Sequence, residues 1–207
     1  MNVIDMFFAS LNKVFVHQSK EWGEIITGFE TRNKYKVLDE QGHSIGFIAE
    51  QRKGLWALLL RSMLRRHRPL TIKVWDENRK ELMEMNRPFY WFFSDLQITS
   101  ESKVVGHIYQ RFAFIFRRYD LADARGNIFA RIRAPFWRIW TFTILSANGN
   151  EIAKISKKWG GILREVFTDA DKFLIEFEGL TSSQKAVVFA AGISIDLDFF
   201  EENHNRR

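Results

Sequence analysis

The sequence predicts a mostly β fold, an antiparallel barrel or sandwich closed around a buried C-terminal helix. Three observations carry that expectation. Phenylalanine occurs 20 times and tryptophan seven times in 207 residues, and aromatic side chains favour pleated, half-buried surfaces. Four segments repeat one alternating pattern around a polar turn, and one C-terminal stretch is apolar on every face.

The repeated segments run from Tyr35 to Ile48, Leu70 to Met83, Tyr119 to Ile132 and Phe142 to Ile155. Each alternates apolar and polar residues at period two on both sides of an Asp-, Asn- or Gly-rich turn, the pattern of a β-hairpin. Gly42, Gly126 and Gly149 can supply the positive φ that such turns demand. In the second copy Asn78 is the expected substitute. Val104–Phe116 and Leu163–Phe177 also read as strands. The hairpins come as two pairs, which fits a duplicated two-half architecture.

Two stretches break the β pattern. Gly54–His67 is apolar at its start and basic at its end, which suits a short helix closed by Pro69. Thr181–Phe200 is the other: Thr181, Ser182 and Ser183 are N-cap candidates, and Ala186–Ile195 is apolar nearly all round. A helix without a polar face belongs inside a protein. It is too short to span a bilayer unaided, and Asp196 and Asp198 follow it directly. The expectation is a helix that fills the barrel.

Composition excludes several classes. With 46% hydrophobic and 27% charged residues the chain is not a disordered one. It has no cysteine, which excludes disulfides and thiolate metal sites and suits a reducing compartment. Met1–Leu11 carries Asp5 and no basic stretch, unlike a secretory signal. No apolar run approaches the roughly 20 residues that cross a bilayer. The expectation is an intracellular protein, cytoplasmic or peripheral at the cytoplasmic face of a membrane. The net charge of +6 calls for an anionic partner: lipid headgroups, nucleic acid or an acidic protein.

No GxSxG, HExxH, P-loop or GxGxxG motif is present, and the five histidines are dispersed without ligand spacing. An enzyme reading therefore has no residues to stand on. Three features invite a binding role. Trp56 and neighbouring leucines precede Arg61, Arg65, Arg66 and Arg68. That suits either a helix in a membrane interface, its cations on anionic headgroups, or a helix packed on the barrel with a solvated basic end. The run Pro88–Asp95 contains Tyr90, Trp91 and Phe92. On an exposed loop it would anchor in the headgroup region, but a core strand, needing no function, is the expectation. Pro135–Phe142 reads as core strand too. Asp169 and Asp171, with Glu176 and Glu178 downstream, are the one candidate cation site. An EF-hand would need Gly and Glu where Leu174 and Leu180 stand, and Phe173–Phe177 alternates like a strand.

Longer stretches carry a resemblance. Lys157-Lys-Trp-Gly-Gly-Ile-Leu-Arg-Glu-Val-Phe-Thr-Asp-Ala-Asp-Lys-Phe173, then Lys185-Ala186 and the apolar helix ending Ile195-Asp-Leu-Asp-Phe-Phe-Glu201, closely resemble the phospholipid scramblase family. Val16-His-Gln18, Thr27-Gly-Phe-Glu-Thr-Arg-Asn-Lys-Tyr35 and Asn86-Arg-Pro88 add to it. The resemblance implies one tubby-like domain over residues 1–207, with its core at about 12–201: a closed antiparallel barrel of about twelve strands threaded by the C-terminal helix. It implies ATP-independent movement of phospholipid between leaflets, calcium as a cofactor with Asp169 and Asp171 in its segment, and a basic, lipid-binding surface. The alternative it leaves is a tubby-like lipid-binding or protein-interaction module without transport activity. Animal members carry a long proline-rich N-terminal extension, where this chain begins almost at the domain. Their palmitoylated cysteine cluster lies where this sequence has Phe89-Tyr-Trp-Phe-Phe93, and their calcium segment continues into acidic residues where this one has Gly179-Leu-Thr-Ser-Ser183. Nucleic acid is the third partner class. Arginines clustered on one segment, rather than interleaved along a strand platform, count against it.

Overall fold

In a computed structural model, the described residues are 2–18, 34–51, 69–111, 116–135, 141–157 and 172–204. They form twelve strands and two helices. A short helix α1 (Val3–Phe8) precedes β1 (Lys13–Gln18), β2 (Lys34–Leu38), β3 (Ser44–Gln51), β4 (Leu70–Asp76), β5 (Glu81–Arg87) and β6 (Asp95–Ser100). Then come β7 (Lys103–Arg111), β8 (Phe116–Asp123), β9 (Ile128–Pro135), β10 (Thr141–Ser146), β11 (Glu151–Ser156), β12 (Lys172–Phe177) and the long helix α2 (Ser182–His204). Every strand pairs antiparallel with its neighbours in sequence, and β1 pairs with β12, so the sheet closes as an up-and-down barrel. Closure leaves no free edge, and it decides between barrel and sandwich.

The four repeated segments are the hairpins β2–β3, β4–β5, β8–β9 and β10–β11. In each, the first turn residue accepts from the amide three residues on, as Asp39 does from Gly42 at 3.1 Å. The fourth residue has positive φ: Gly42 at 85°, Gly126 at 84° and Gly149 at 83°. In the second hairpin that residue is Arg79 at 65°, one place after the expected Asn78. A type I turn closed by a left-handed residue forms this loop, and the bulge beside it accounts for the register shift in each pair. Asp39 and Asp123 also accept from two amides of their own turns, which is why the pattern begins with aspartate there.

These turns and Glu101-Ser102 between β6 and β7 all lie at one end of the barrel. The β5–β6 connection, Pro88–Ser94, lies at the other. Gly54–His67 and residues 163–171 fall outside the described residues, and the predicted strand Val104–Phe116 is divided between the end of β7 at Arg111 and the start of β8 at Phe116.

Helix α2 fills the barrel as its apolar surface requires. Ala186–Ala191, Ile193, Ile195 and Leu197 are all buried. Thr181 and Gln184 form a reciprocal cap: the Gln184 amide donates to Thr181 Oγ1 at 3.3 Å and the Thr181 amide to Gln184 Oε1 at 3.0 Å. The helix packs tightly on the wall at Gly106, where a Cβ would stand 2.5 Å from both Ala122 O and Val187 Cγ2. Among the described residues no helix is long and apolar enough to cross a membrane.

Sequence reading missed α1. It is capped by Asn2, whose Oδ1 accepts from the Asp5 amide at 2.8 Å, and it buries Val3, Ile4 and Phe8 over the hairpin end of the barrel. Its C-terminus rests on Lys185, a buried cation whose Nζ donates to the carbonyls of Phe8, Ala9 and Leu11 at 3.1, 3.4 and 2.7 Å. At the other end of α2, Asp196 accepts from Tyr35 Oη at 3.0 Å and pairs with Lys157 Nζ at 2.7 Å. Both buried charges are thus paired or hydrogen-bonded, as burial demands.

Candidate functional site

The aromatic run is not a core strand. Strand β5 ends at Arg87 and β6 begins at Asp95, so the residues between turn the chain at the barrel rim. Trp91 is 74% exposed, Phe92 83% and Phe93 46%. The expectation of a buried strand failed because the run offers apolar residues at successive positions, and period two cannot place them all on the inner face.

The loop is held in place at both ends. The Arg87 guanidinium lies over the half-buried Tyr90 ring at 5.4 Å, and Phe89 meets Trp91 edge to face at 5.1 Å. Ser94, which is buried, accepts at its carbonyl from the Gln110 amide at 2.9 Å, and its Oγ donates to Gln110 Oε1 at 3.1 Å. Large apolar side chains are therefore presented to solvent by a fixed support.

Beside this loop the outer wall is basic. Tyr109 and Arg111 on β7, Arg118 and Asp120 on β8, and Arg131 and Arg133 on β9 alternate with inward residues and share the outer face. Asp120 is opposite both Tyr109 and Arg131, and Arg118 is opposite both Arg111 and Arg133. Asp120 points outward yet is only 2% exposed, because three guanidiniums cover it. Nε of Arg111 and of Arg118 each lie 3.2 Å from its carboxylate, and Nε of Arg131 lies at 3.5 Å. Three cations share one anion, leaving a positive surface.

The wall around β4 and β5 has the opposite balance. There Lys73 Nζ donates to Glu81 at 2.6 Å and faces Glu84 at 3.3 Å. The hydrogen bond to Glu81 chiefly holds the Lys73 pKa above the usual lysine value. One cation meets two carboxylates on that side, the reverse of the balance around Asp120.

Among the site residues the sequence suggested, the structure brings Tyr90, Trp91 and Phe92 together on the loop. Trp56, Arg61, Arg65, Arg66, Arg68, Asp169 and Asp171 lie outside the described residues. Glu176 is on β12, paired with Lys13 at 3.2 Å, and Glu178 follows that strand. Among the described residues no three His, Asp or Glu side chains gather as metal ligands.

The idea that arginines are confined to one segment is corrected: Arg111, Arg118, Arg131 and Arg133 are interleaved on a strand platform. The signal was present in Arg118-x-Asp120 and Arg131-x-Arg133, whose period two puts each pair on one face. The platform's aromatic residue is already engaged: the Tyr109 ring stacks with His107 at 5.7 Å and lies under Arg111 at 4.9 Å.

The sequence model of the family described as Scramblase matches residues 2–202. The chain is 26% identical to a phospholipid scramblase family protein of Schizosaccharomyces pombe, over 94% of this chain and 61% of that protein. It is 29% identical to phospholipid scramblase 1 of Mus musculus, over 96% of this chain and 64% of the mouse protein. It is 26% identical to altered inheritance rate of mitochondria protein 25 of Saccharomyces cerevisiae, over 94% and 72%. The chain thus spans about three fifths of the length of the fission-yeast relative. No solved structure matches it.

Proposed function

Because the chain belongs to the scramblase family, we propose that it is a membrane-associated phospholipid-binding protein that docks through the loop Pro88–Ser94. The exposure of Trp91 and Phe92 on a clamped loop carries this reading. Full transfer of a side chain of this size out of water contributes about 1.5–3 kcal/mol. Half of that from each of two residues amounts to at least a ten-fold gain in partition. The net charge of +6 favours the cytoplasmic leaflet, where anionic lipids concentrate. The aromatic run then supplies the apolar anchoring for which related proteins use acyl chains.

ATP-independent movement of phospholipid between leaflets is the finer part of the proposal, with calcium as a modulator to be tested. A second reading, a lipid-binding or protein-interaction module without transport, is favoured by the enclosure of α2. Its apolar faces are occupied by the barrel interior, so inserting it into a bilayer would cost the protein much of its core.

The test is sedimentation with neutral and anionic vesicles, in calcium and in chelator. W91S/F92S should bind at least ten-fold more weakly, with a melting temperature unchanged within about two degrees. Unchanged binding would sink docking through this loop. A fluorescent-lipid assay on vesicles that bind the protein then separates transport from binding alone.

A further inference from the structure

We infer that Arg111, Arg118 and Arg131, organised by Asp120, form a site for the phosphoryl groups of anionic phospholipid headgroups at the membrane surface. The inference rests on the docking reading above and deepens it. Arg111 ends β7, two residues beyond Tyr109, which pairs with Asp95 at the foot of the aromatic loop. One outward step along a strand is about 7 Å. Gln110, between Tyr109 and Arg111, is the residue that clasps Ser94. An apolar tip and a cationic band therefore stand side by side on one rigid support. That is the order in which a bilayer presents its acyl region and its phosphates.

The chemistry of the cluster suits an oxyanion. Unaided, three guanidiniums on adjacent strands would repel one another and spread into solvent. The Asp120 carboxylate draws them together, with Arg111 and Arg131 approaching it through Nε. Guanidinium donors in fixed positions match phosphate better than mobile ammonium groups do. Three guanidiniums around Asp120, with Arg133 on the same face and Asp95 as the neighbouring carboxylate in the row, leave a net positive charge that a bound anion would neutralise. A nucleic-acid strand is the other occupant to test. On the arginine platform Tyr109 is engaged by both His107 and Arg111, while the exposed rings are Trp91 and Phe92 on the neighbouring loop, so competition by an oligonucleotide decides between the two.

The experiment compares vesicle partition of the full chain with that of R111Q/D120N/R118Q/R131Q and of K103Q/R125Q. The first variant removes the cluster without leaving a buried carboxylate unpaired. The second lowers the net charge equally at the hairpin end, more than about 10 Å from the cluster and so beyond a Debye length. The cluster variant should lose about thirty-fold in partition to anionic vesicles, roughly 2 kcal/mol for two net charges at the surface. It should keep its binding to neutral vesicles, and K103Q/R125Q should stay within three-fold of wild type throughout. Equal losses in both variants, or none in the cluster variant, overturn the inference while leaving loop docking intact. Failure of the wild type to bind any vesicle overturns both.

A second readout needs no variant. Anionic vesicles should slow phenylglyoxal modification of Arg111, Arg118 and Arg131 several-fold, and leave Arg125 unprotected. Equal labelling of all four overturns the assignment. So does displacement from vesicles by inorganic phosphate or an oligonucleotide at matched ionic strength, because the site would then serve a free ion or a nucleic acid.

Discussion

Ser94 and Gln110 hold the loop and the barrel wall together. The Gln110 amide donates to Ser94 O at 2.9 Å, and Gln110 Oε1 accepts from Ser94 Oγ at 3.1 Å and from the Ser94 amide at 3.4 Å. The first bond belongs to the backbone and survives substitution; the other two depend on the side chain. Gln110→Ala should therefore cost only about 1 kcal/mol of stability. Vesicle binding should fall several-fold, because a loosened loop must be ordered each time it docks. Urea unfolding and vesicle sedimentation measure the two effects separately, and full retention of binding would show that the clasp does not prepare the loop.

Lys185→Met should destabilise by about 2–4 kcal/mol. The substitution keeps an apolar stem of similar length but strips the α1 carbonyls of the donor that satisfies them, and buried carbonyls without partners are expensive. Hydrogen exchange should also quicken at Leu11, whose amide bonds to Phe8 O in the turn that Lys185 holds. A loss below 1 kcal/mol in urea would mean that water replaces the ammonium.

Two glycines separate crowding from backbone strain. Gly106→Ala must push a backbone carbonyl and Val187 aside, and overpacking of this kind costs about 1–3 kcal/mol. Gly149 has open space around it but φ of 83°, so Gly149→Ala meets only the left-handed penalty of about 1–2 kcal/mol. Removing the opposing methyl with Val187→Ala should therefore soften the first cost and leave the second unchanged, as a double-mutant cycle by thermal unfolding can show.

Arg79→Gly should stabilise the protein by about 0.5–1 kcal/mol. Arg79 occupies the left-handed position that glycine fills in the other three hairpins, with φ of 65°. Its side chain lies on an exposed turn. A lowered melting temperature would show that the arginine has a partner in the folded protein worth more than the strain.

Asp123 should titrate below the usual aspartate range. The Asn127 side chain, donating to Asp123 Oδ2 at 3.0 Å, is the first cause, and the Asn127 amide follows. A depressed folded pKa means that this turn's stabilisation is fully present above the unfolded value, near pH 4, and is lost as pH falls through the folded one. Asn127→Ala should move the carboxyl resonance midpoint upward in an NMR titration; an unmoved midpoint would assign the shift to the amides alone.

Much of the fold was legible because its signals are local. The four hairpins follow from turn residues and two-residue alternation, each contained within 14 residues of chain. The enclosure of α2 follows from Ala186–Ile195 having no polar face. Helix α1 was not legible. At six residues it is too short to show a period, and its place depends on Lys185, far away in sequence. The aromatic loop was misread for a related reason: density of Phe, Tyr and Trp says that a segment prefers apolar surroundings, not whether the barrel can accommodate it.

The sequence by itself determined that this protein would be a β structure with a helix inside it, because hydrogen-bonded turns and apolar periodicity act between near neighbours. Only the tertiary structure decided that Trp91 and Phe92 face outward, and that Arg111, Arg118 and Arg131 meet over Asp120. Those arginines come from three strands, and a slip of one residue in either pairing would send them to the inner face. Register across a closed barrel is set by all twelve pairings together, and no single segment carries it.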